Sequence, residues 1–282
     1  MACAIAGAKY AKRRQTSVMQ ILLVADLHYA LPQFDWLTSV AADFDAVVLA
    51  GDLLESASHV PIDAQILVIN AYLEKLSARS RLFVCSGNHD LTATCDRSGE
   101  RVADWLLKRR DGEFACDGDS RVLGTMLVSV LPWWDGPATR DGVTDQLSRD
   151  TEYPKQSWLW AYHAPPADCS VSWAGSRHYG DTALLDWIEA FRPDYVLCGH
   201  VHQAPFVPDG SWVHKLGSAW VFNAGQQPGA TPAHVILDLD QATALWFSIY
   251  GNEIVALDGE NAAPAPLDTL PDWFRAAGPA VA

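Results

Sequence analysis

The chain has 282 residues, 49% of them hydrophobic and 19% charged, which is ordinary for a globular protein built around one large α/β domain. Its formal net charge of −14 argues against a nucleic-acid-binding surface, because such a surface needs a basic stripe. The six cysteines are scattered singly, which argues against a disulfide scaffold or zinc ribbon and favours a cytoplasmic location.

The two ends of the chain differ in composition from the middle. Arg13-Arg14 precedes an apolar run, 21–25, that is too short for the core of a signal peptide. We expect residues 1–18 to be a disordered extension, residues 19–258 to form the domain, and the Ala/Pro-rich residues 259–282 to be a loosely attached tail. Because no apolar stretch reaches the length of a bilayer span, we expect no membrane partner.

Short apolar runs alternate with amphipathic segments over most of the chain, which predicts an α/β sheet. After residue 211 the runs are separated only by short turns, so we expect the chain to finish in a second sheet. The predicted helices are 33–42, 62–77, 101–110 and 181–191. The predicted strands are 20–25, 46–50, 81–85, 125–131, 157–164, 195–198, 212–214, 219–223, 233–239 and 243–250.

Polar side chains cluster where five of these predicted strands end. In open α/β sheets ligands bind outside the carboxyl ends of strands, so we expect these side chains to meet at one rim. Carboxylate with imidazole suits Mn, Fe or Zn, and there are more candidates than one tetrahedral ion needs, which favours two ions. The candidates are Asp26, His28, Asp52, Asn88, His89, Asp90, His163, His200 and His202.

Each motif by itself has an ordinary structural explanation, such as a turn or a pair of packing histidines. Taken in order, DLH, GD, GNHD, the histidine at 163 and GHVH resemble the calcineurin-like metallophosphoesterase superfamily over residues 20 to about 225. The resemblance implies an αββα sandwich of two sheets, with metal ligands at the C-terminal ends of strands. It also implies hydrolysis of a phosphate ester by in-line attack of a hydroxide that bridges two divalent ions (Mn²⁺, Fe²⁺/Fe³⁺ or Zn²⁺).

The resemblance also assigns roles to individual residues. It implies one ion on Asp26, His28 and His202, a second ion on Asn88, His163 and His200, and Asp52 as the bridge. His89 would stabilise the transition state or protonate the leaving oxygen, and Asp90 would steady the turn or orient a ligand. Glu55, three residues after Asp52, is a candidate for orienting His89, with an exposed loop residue as the alternative.

One departure from the family concerns the loop after the bridging aspartate. Protein Ser/Thr phosphatases have GDxxDRG there, whereas this chain has Glu55-Ser56 in place of the Asp-Arg pair. The substitution removes an arginine that would contact the substrate phosphate, so it disfavours a protein phosphatase. We therefore expect a small-molecule or nucleotide phosphate ester as substrate.

Several residues outside the metal set are candidates for contacting that substrate. Trp133 and Trp134 end a strand and could wall the pocket, with ordinary packing as the alternative. Arg177 could contact phosphate, and Asn88 and His89 face the same region. Asn223 is a further candidate at the rim. His59, His178, His214 and His234 are expected to be surface or packing residues, and His59 is the one most open to a role.

Three classes of function remain open at this point: a hydrolase of small-molecule phosphate esters, a nuclease and a non-catalytic interaction module. A phosphodiesterase is favoured over a phosphatase. A nuclease would use the same centre but is disfavoured by the acidic composition. A non-catalytic interaction module would retain the fold, although such a module typically loses ligands and none is missing here.

Overall fold

The apolar runs form two stacked sheets in the structure, a computed structural model that describes residues 19–259 and 263–271. The predicted extension, 1–18, lies outside the described residues, as do residues 260–262 and 272–282 of the predicted tail. The helices are α1 Leu31–Val40, α2 Ile62–Ser77, α3 Asp104–Leu107, α4 Pro137–Thr151 and α5 Thr182–Phe191. None of the helices within the described residues is long and apolar enough to cross a bilayer.

The strands, in chain order, are β1 Gln20–Val24, β2 Ala46–Ala50, β3 Arg81–Cys85, β4 Ala93–Thr94, β5 Arg101–Val102, β6 Ala115–Cys116, β7 Ser120–Leu123, β8 Met126–Val130, β9 Ser157–Ala161, β10 Tyr195–Cys198, β11 Val213–Leu216, β12 Ala219–Asn223, β13 His234–Asp238, β14 Thr243–Ser248, β15 Gly251–Ala256 and β16 Ala265–Pro266. One sheet has the order β16-β15-β14-β13-β1-β2-β3-β6, the other β11-β12-β10-β9-β8-β7, and β4 pairs with β5.

Each sheet contains four neighbouring parallel strands: β1, β2, β3 and β6 at one end of the first sheet, and β12, β10, β9 and β8 in the middle of the second. Strands that are covered on both faces read as continuous apolar runs, as in QILLV and AVVLA. Side chains such as Leu23, Val48 and Leu159 fill the layer between the sheets. The outer face of the first sheet packs under α1 and α2, and that of the second under α4 and α5. The predicted αββα sandwich is thereby confirmed.

The structure differs from the predicted elements in several places, and strands β4, β6, β7 and β15 are additions to the predicted set. Residues 101–110 contain β5 and the short α3 instead of one helix. Helix α4 was not predicted, because it buries only two apolar side chains, Val143 and Leu147, and contains Gly142. The first sheet extends past the predicted boundary at 258, since β16 pairs with β15.

The inter-sheet layer predicts one stability result. Leu159 is fully buried there, so Leu159→Ala should lower the free energy of unfolding by about 2–5 kcal/mol through lost burial and a residual cavity. Leu67→Ala, at a position that is 73% exposed on α2, should change it by less than about 0.5 kcal/mol. Urea unfolding followed by circular dichroism measures both, and equal effects would contradict this packing.

Candidate metal centre

The carboxyl ends of the parallel strands meet at one edge of the sandwich, where their loops bond to each other. Asp26 N–H donates to Gly51 O (3.1 Å) and His28 N–H to Asp52 O (2.9 Å), which ties the loops after β1 and β2 together. The second sheet joins through the His200 N–H, which lies 3.0 Å from both oxygens of Asp26. The side chains at this edge therefore have fixed positions relative to both sheets.

The backbone at this edge is strained. Asp26, His28, Asp52 and His200 have positive φ angles of 56°, 42°, 53° and 69°, a region that residues other than glycine seldom occupy. Gly51, at φ 85°, also lies so close to the His163 ring that any Cβ would overlap it. Strain of this kind concentrates at functional sites, where the surrounding structure holds it in place.

A first group of potential metal ligands consists of Asp26, His28, Asp52 and His202, whose ligand atoms lie within 4.8 Å of one another. His202 Nε2 is 3.2 Å from Asp26 Oδ1 and 3.2 Å from His28 Nε2. His28 Nε2 is 3.6 Å from Asp52 Oδ2. Two imidazoles and two carboxylates that point at one small space form a donor set suited to a divalent transition-metal ion.

A second group consists of Asp52, His163 and His200, so Asp52 belongs to both groups. His163 Nε2 lies 3.1 Å from Asp52 Oδ2, while His163 Nδ1 bonds to Ala50 O at 2.6 Å. Because the carbonyl can only accept, it fixes the proton on Nδ1 and leaves Nε2 to face the carboxylate.

Two buried polar atoms at this second group are poorly satisfied within the described residues: Asn88 Oδ1 has no hydrogen-bond partner, and His163 Nε2 faces only the Asp52 carboxylate, 3.1 Å away. Asn88 lies between Gly87 and His89, whose N–H donates to Asp52 Oδ1 at 2.8 Å. Buried polar atoms are nearly always satisfied, and a cation would satisfy both of these. The residues present therefore fit two metal ions that share Asp52.

The charges at the centre shift the pKa values of its histidines in different directions. Burial lowers the pKa of His163, but the adjacent Asp52 carboxylate outweighs burial and raises it to about 9. Burial lowers the pKa of His200 to about 4. Burial also lowers that of His28, against the attraction of Asp52 and Asp26. These two shifts favour the neutral form, in which imidazole binds a metal, whereas at His202 burial is outweighed by the Asp26 carboxylate, which raises the pKa of that histidine.

A third group joins His28, Glu55 and His89 on the open side of the centre. Glu55 Oε2 lies 3.1 Å from His28 Nδ1, and Glu55 Oε1 lies 3.6 Å from His89 Nδ1. The rings of His28 and His89 meet edge to face at 4.6 Å. Glu55 therefore contacts one proposed ligand and the proposed catalytic histidine, in contrast to a free loop residue.

Asp90 has a structural position beneath the Asp52 loop. Its carboxylate accepts N–H bonds from Leu53 (3.0 Å), Leu54 (3.0 Å) and Gly87 (2.8 Å). Burial and the nearby Asp52 raise its pKa to about 7, while the three N–H donors favour the ionised form. Of the two expected roles, steadying the turn matches these contacts.

The proposed substrate residues occupy different environments. The Trp133 ring lies 5.2 Å from that of His200 and 5.7 Å from that of His163, directly beside the centre. Trp134 donates its indole N–H to Asp181 (2.8 Å), and both tryptophans pack against the layer under α4 and α5. Arg177 is exposed and lies over the Tyr179 ring at 4.2 Å. No hydrogen bond or ion pair among the described residues joins Arg177 to the ligand groups.

The structure corrects the expectation for Asn223 and adds a residue that the motifs missed. Asn223 is fully buried, and its amide bonds to Val171 O, Val201 O and Gly225 N, so it braces the GHVH loop and does not line the rim. Gln226 donates to Asp26 O at 3.0 Å. Its contact spans 200 positions, and no local pattern signals it.

The four histidines outside the motifs lie away from the three ligand groups. His59 is exposed on the loop after Asp52. His178 and His214 bond to serine hydroxyls, and His234 is buried against Phe247. These positions are those of surface and packing residues.

The role of Asp90 predicts a stability loss. Asp90→Asn replaces a carboxylate oxygen with an NH₂ group that faces backbone N–H donors, so the free energy of unfolding should fall by about 1–3 kcal/mol. Asp186→Asn, at an exposed position of α5, serves as the control. Denaturant unfolding in the presence of chelator measures the effect without metal, and equal stability of the two variants would contradict the bracing role.

Comparisons with known proteins agree with this geometry. The calcineurin-like phosphoesterase family profile matches residues 19–204. No curated protein matches the chain significantly. One solved structure superposes with a TM-score of 0.56 at 16% identity, over 79% of this chain and 96% of the other. The TT1561 protein of Thermus thermophilus superposes with a TM-score of 0.51 at 16% identity, over 89% of this chain and 99% of that protein.

At such identities the structural matches establish the fold alone, whereas the family profile covers well over half of the sequence. The matched segment begins at β1 and ends in the loop after β10, so it includes every proposed metal ligand. The chain belongs to the calcineurin-like phosphoesterase family.

Proposed function

We propose that this phosphoesterase is a phosphodiesterase that acts on a small-molecule or nucleotide substrate. In the proposed centre one metal ion is bound by Asp26, His28 and His202, the other is bound by Asn88, His163 and His200, and Asp52 binds both. Metal-dependent hydrolysis of phosphate esters is the chemistry of the family. The preference for diesters, the choice of Mn²⁺, Fe²⁺/Fe³⁺ or Zn²⁺, and the cytoplasmic location belong to the proposal. Buried free thiols at Cys85, Cys116, Cys169 and Cys198 support that location.

The observation that carries the proposal is the shared carboxylate. Asp52 belongs to both ligand groups, and the buried Asn88 Oδ1, in the loop whose His89 N–H bonds to Asp52, has no hydrogen-bond partner among the described residues. When bound, two divalent ions supply an acidified water and positive charge for the phosphoryl oxygens. The protein would set the distances between the proposed ligands, because their side chains are carried by two packed sheets and by strained loops.

His89 is the residue proposed to act on the reacting phosphate. Its side chain is 28% exposed and that of Glu55 26%, so both reach the open side of the centre. Glu55 lies between His89 and His28 and is placed to orient both rings. A histidine held there can donate a hydrogen bond or a proton to the leaving oxygen.

Substrate contacts are proposed for Asn88, His89 and Trp133, which border the two ligand groups. The bonding of Trp134 to Asp181 supports a role in holding the loop that carries Trp133. Arg177 is retained as a phosphate contact only on its sequence position, since its described contact is with Tyr179.

The nuclease and the interaction module have weaker support. The net charge of −14 disfavours a long polyanionic substrate. A module without catalysis has no need for strained backbone at four ligand positions.

Replacing His89 tests its role. His89→Asn should lower kcat by about 100-fold or more while leaving metal content unchanged, because it removes a proton donor and no ligand. His59→Asn makes the same substitution at an exposed position of the neighbouring loop and should retain parental activity. Steady-state kinetics with elemental analysis measures both; a His89 variant that loses metal would assign it as a ligand instead.

Ester preference is tested with a matched pair of substrates, bis-p-nitrophenyl phosphate and p-nitrophenyl phosphate, on the Mn²⁺-loaded protein. We expect the diester to have the higher kcat/KM. A reversed preference would make the chain a phosphatase, and hydrolysis of neither would indicate the interaction module or a narrow substrate range.

A further inference from the structure

A cleft of about 210 Å³ opens beside the metal centre. Asp117 follows β6 and Trp133 follows β8, and both residues line it. In the first sheet β6 is the neighbour of β3, and in the second β8 is the neighbour of β9. Since β3 and β9 carry Asn88 and His163, the cleft continues the metal-bearing rim by one strand in each sheet.

Trp133 is the shared wall between the cleft and the centre, because its ring also contacts the rings of His163 and His200. Hydrogen bonds fix this wall to the metal loop. Trp133 N–H donates to Ser86 Oγ (3.0 Å), and Ser86 N–H donates to Asp117 Oδ1 (2.8 Å). Ser86 directly precedes Gly87-Asn88, so the cleft and the second ligand group are built on one segment.

The opposite wall is one face of α4. Thr139, Gly142, Gln146 and Arg149 line the cleft at helical spacing. Arg149 is exposed at the mouth, and no ion pair within residues 19–259 and 263–271 neutralises it. The other arginine of the lining, Arg110, already contacts Gly118 O and the Asp119 carboxylate. The guanidinium left to meet a ligand is therefore that of Arg149.

The rest of the lining is largely apolar, with Val102, Leu107 and Pro132 beside the Trp133 ring. The volume of about 210 Å³ is below the roughly 300–1,000 Å³ typical of a whole ligand pocket. The cleft thus suits one portion of a ligand: a planar apolar group that stacks on an indole and carries a negative charge towards Arg149.

We infer that this cleft binds the organic group of the phosphate ester, and that the substrate class is an aromatic or heterocyclic ester with a second anionic group. This inference rests on the proposed function, because the phosphate must lie at the metal centre. Trp133 and Arg149 would then determine specificity without contacting the reacting bond.

The test is calorimetric binding of three non-hydrolysable probes to the Mn²⁺-loaded protein: inorganic phosphate, phenylphosphonate and 4-carboxyphenylphosphonate. We expect the ring to tighten binding about fivefold over phosphate and the carboxylate to tighten it about threefold more. A chain that binds phosphate but gains nothing from the ring overturns the inference and leaves the proposed function intact. A chain that binds none of the probes contradicts the metal centre and the cleft together.

Two variants and their controls locate the effects. Gly142→Phe fills the cleft, and the fold should tolerate it because no atom lies within 4 Å of a Cβ built there. In this variant phenylphosphonate should no longer bind more tightly than phosphate, while the affinity for phosphate should stay unchanged. Arg149→Ala should remove only the threefold gain from the carboxylate. Ser148→Phe and Arg140→Ala, exposed on α4 and outside the cleft, should bind as the parent does. If Gly142→Phe keeps the gain from the ring, the ring binds elsewhere.

Discussion

The Asp52 carboxylate is the point on which the site depends. It lies at the end of β2, contacts His28 from the same sheet and His163 from the other, and accepts the His89 N–H. A carboxylate in that position has its pKa lowered by His163 despite burial. The ionised carboxylate can therefore attract a cation on each of its two sides. Side chains from both sheets of the sandwich lie next to it.

Holding Asp52 there requires support that is itself buried. Asp90 accepts three backbone N–H bonds from the loops that carry Asp52 and Asn88. Asn223 and Gln226 brace the second-sheet loop and the Asp26 backbone. These bonds lie in and beside the loops where four proposed ligands have positive φ angles, and such conformations persist only where the surrounding structure holds them. The stability of the fold and the geometry of the centre are thus linked.

Much of this was predictable from sequence, because the buried parallel strands and their polar ends are local patterns. The runs QILLV and AVVLA, followed by Asp26 and Asp52, indicate both a strand and a site. Helix α4 was not predicted because the face that it turns towards the cleft is polar. The buried position of Asn223 could not be predicted either, because its hydrogen-bond partners are 22 and 52 positions away in the sequence. The positions of Trp134 and Arg177 likewise follow from tertiary contacts that no motif encodes.

The most direct measurement is the metal content of the purified chain after loading with Mn²⁺ and gel filtration, for the parent and for Asp52→Asn. If Asp52 is shared by two ions, the parent should hold about two per chain, and the variant should lose both while keeping its circular dichroism spectrum. A parent chain that holds a single ion, or a folded Asp52→Asn chain that still holds two, would contradict a dinuclear centre built on this carboxylate.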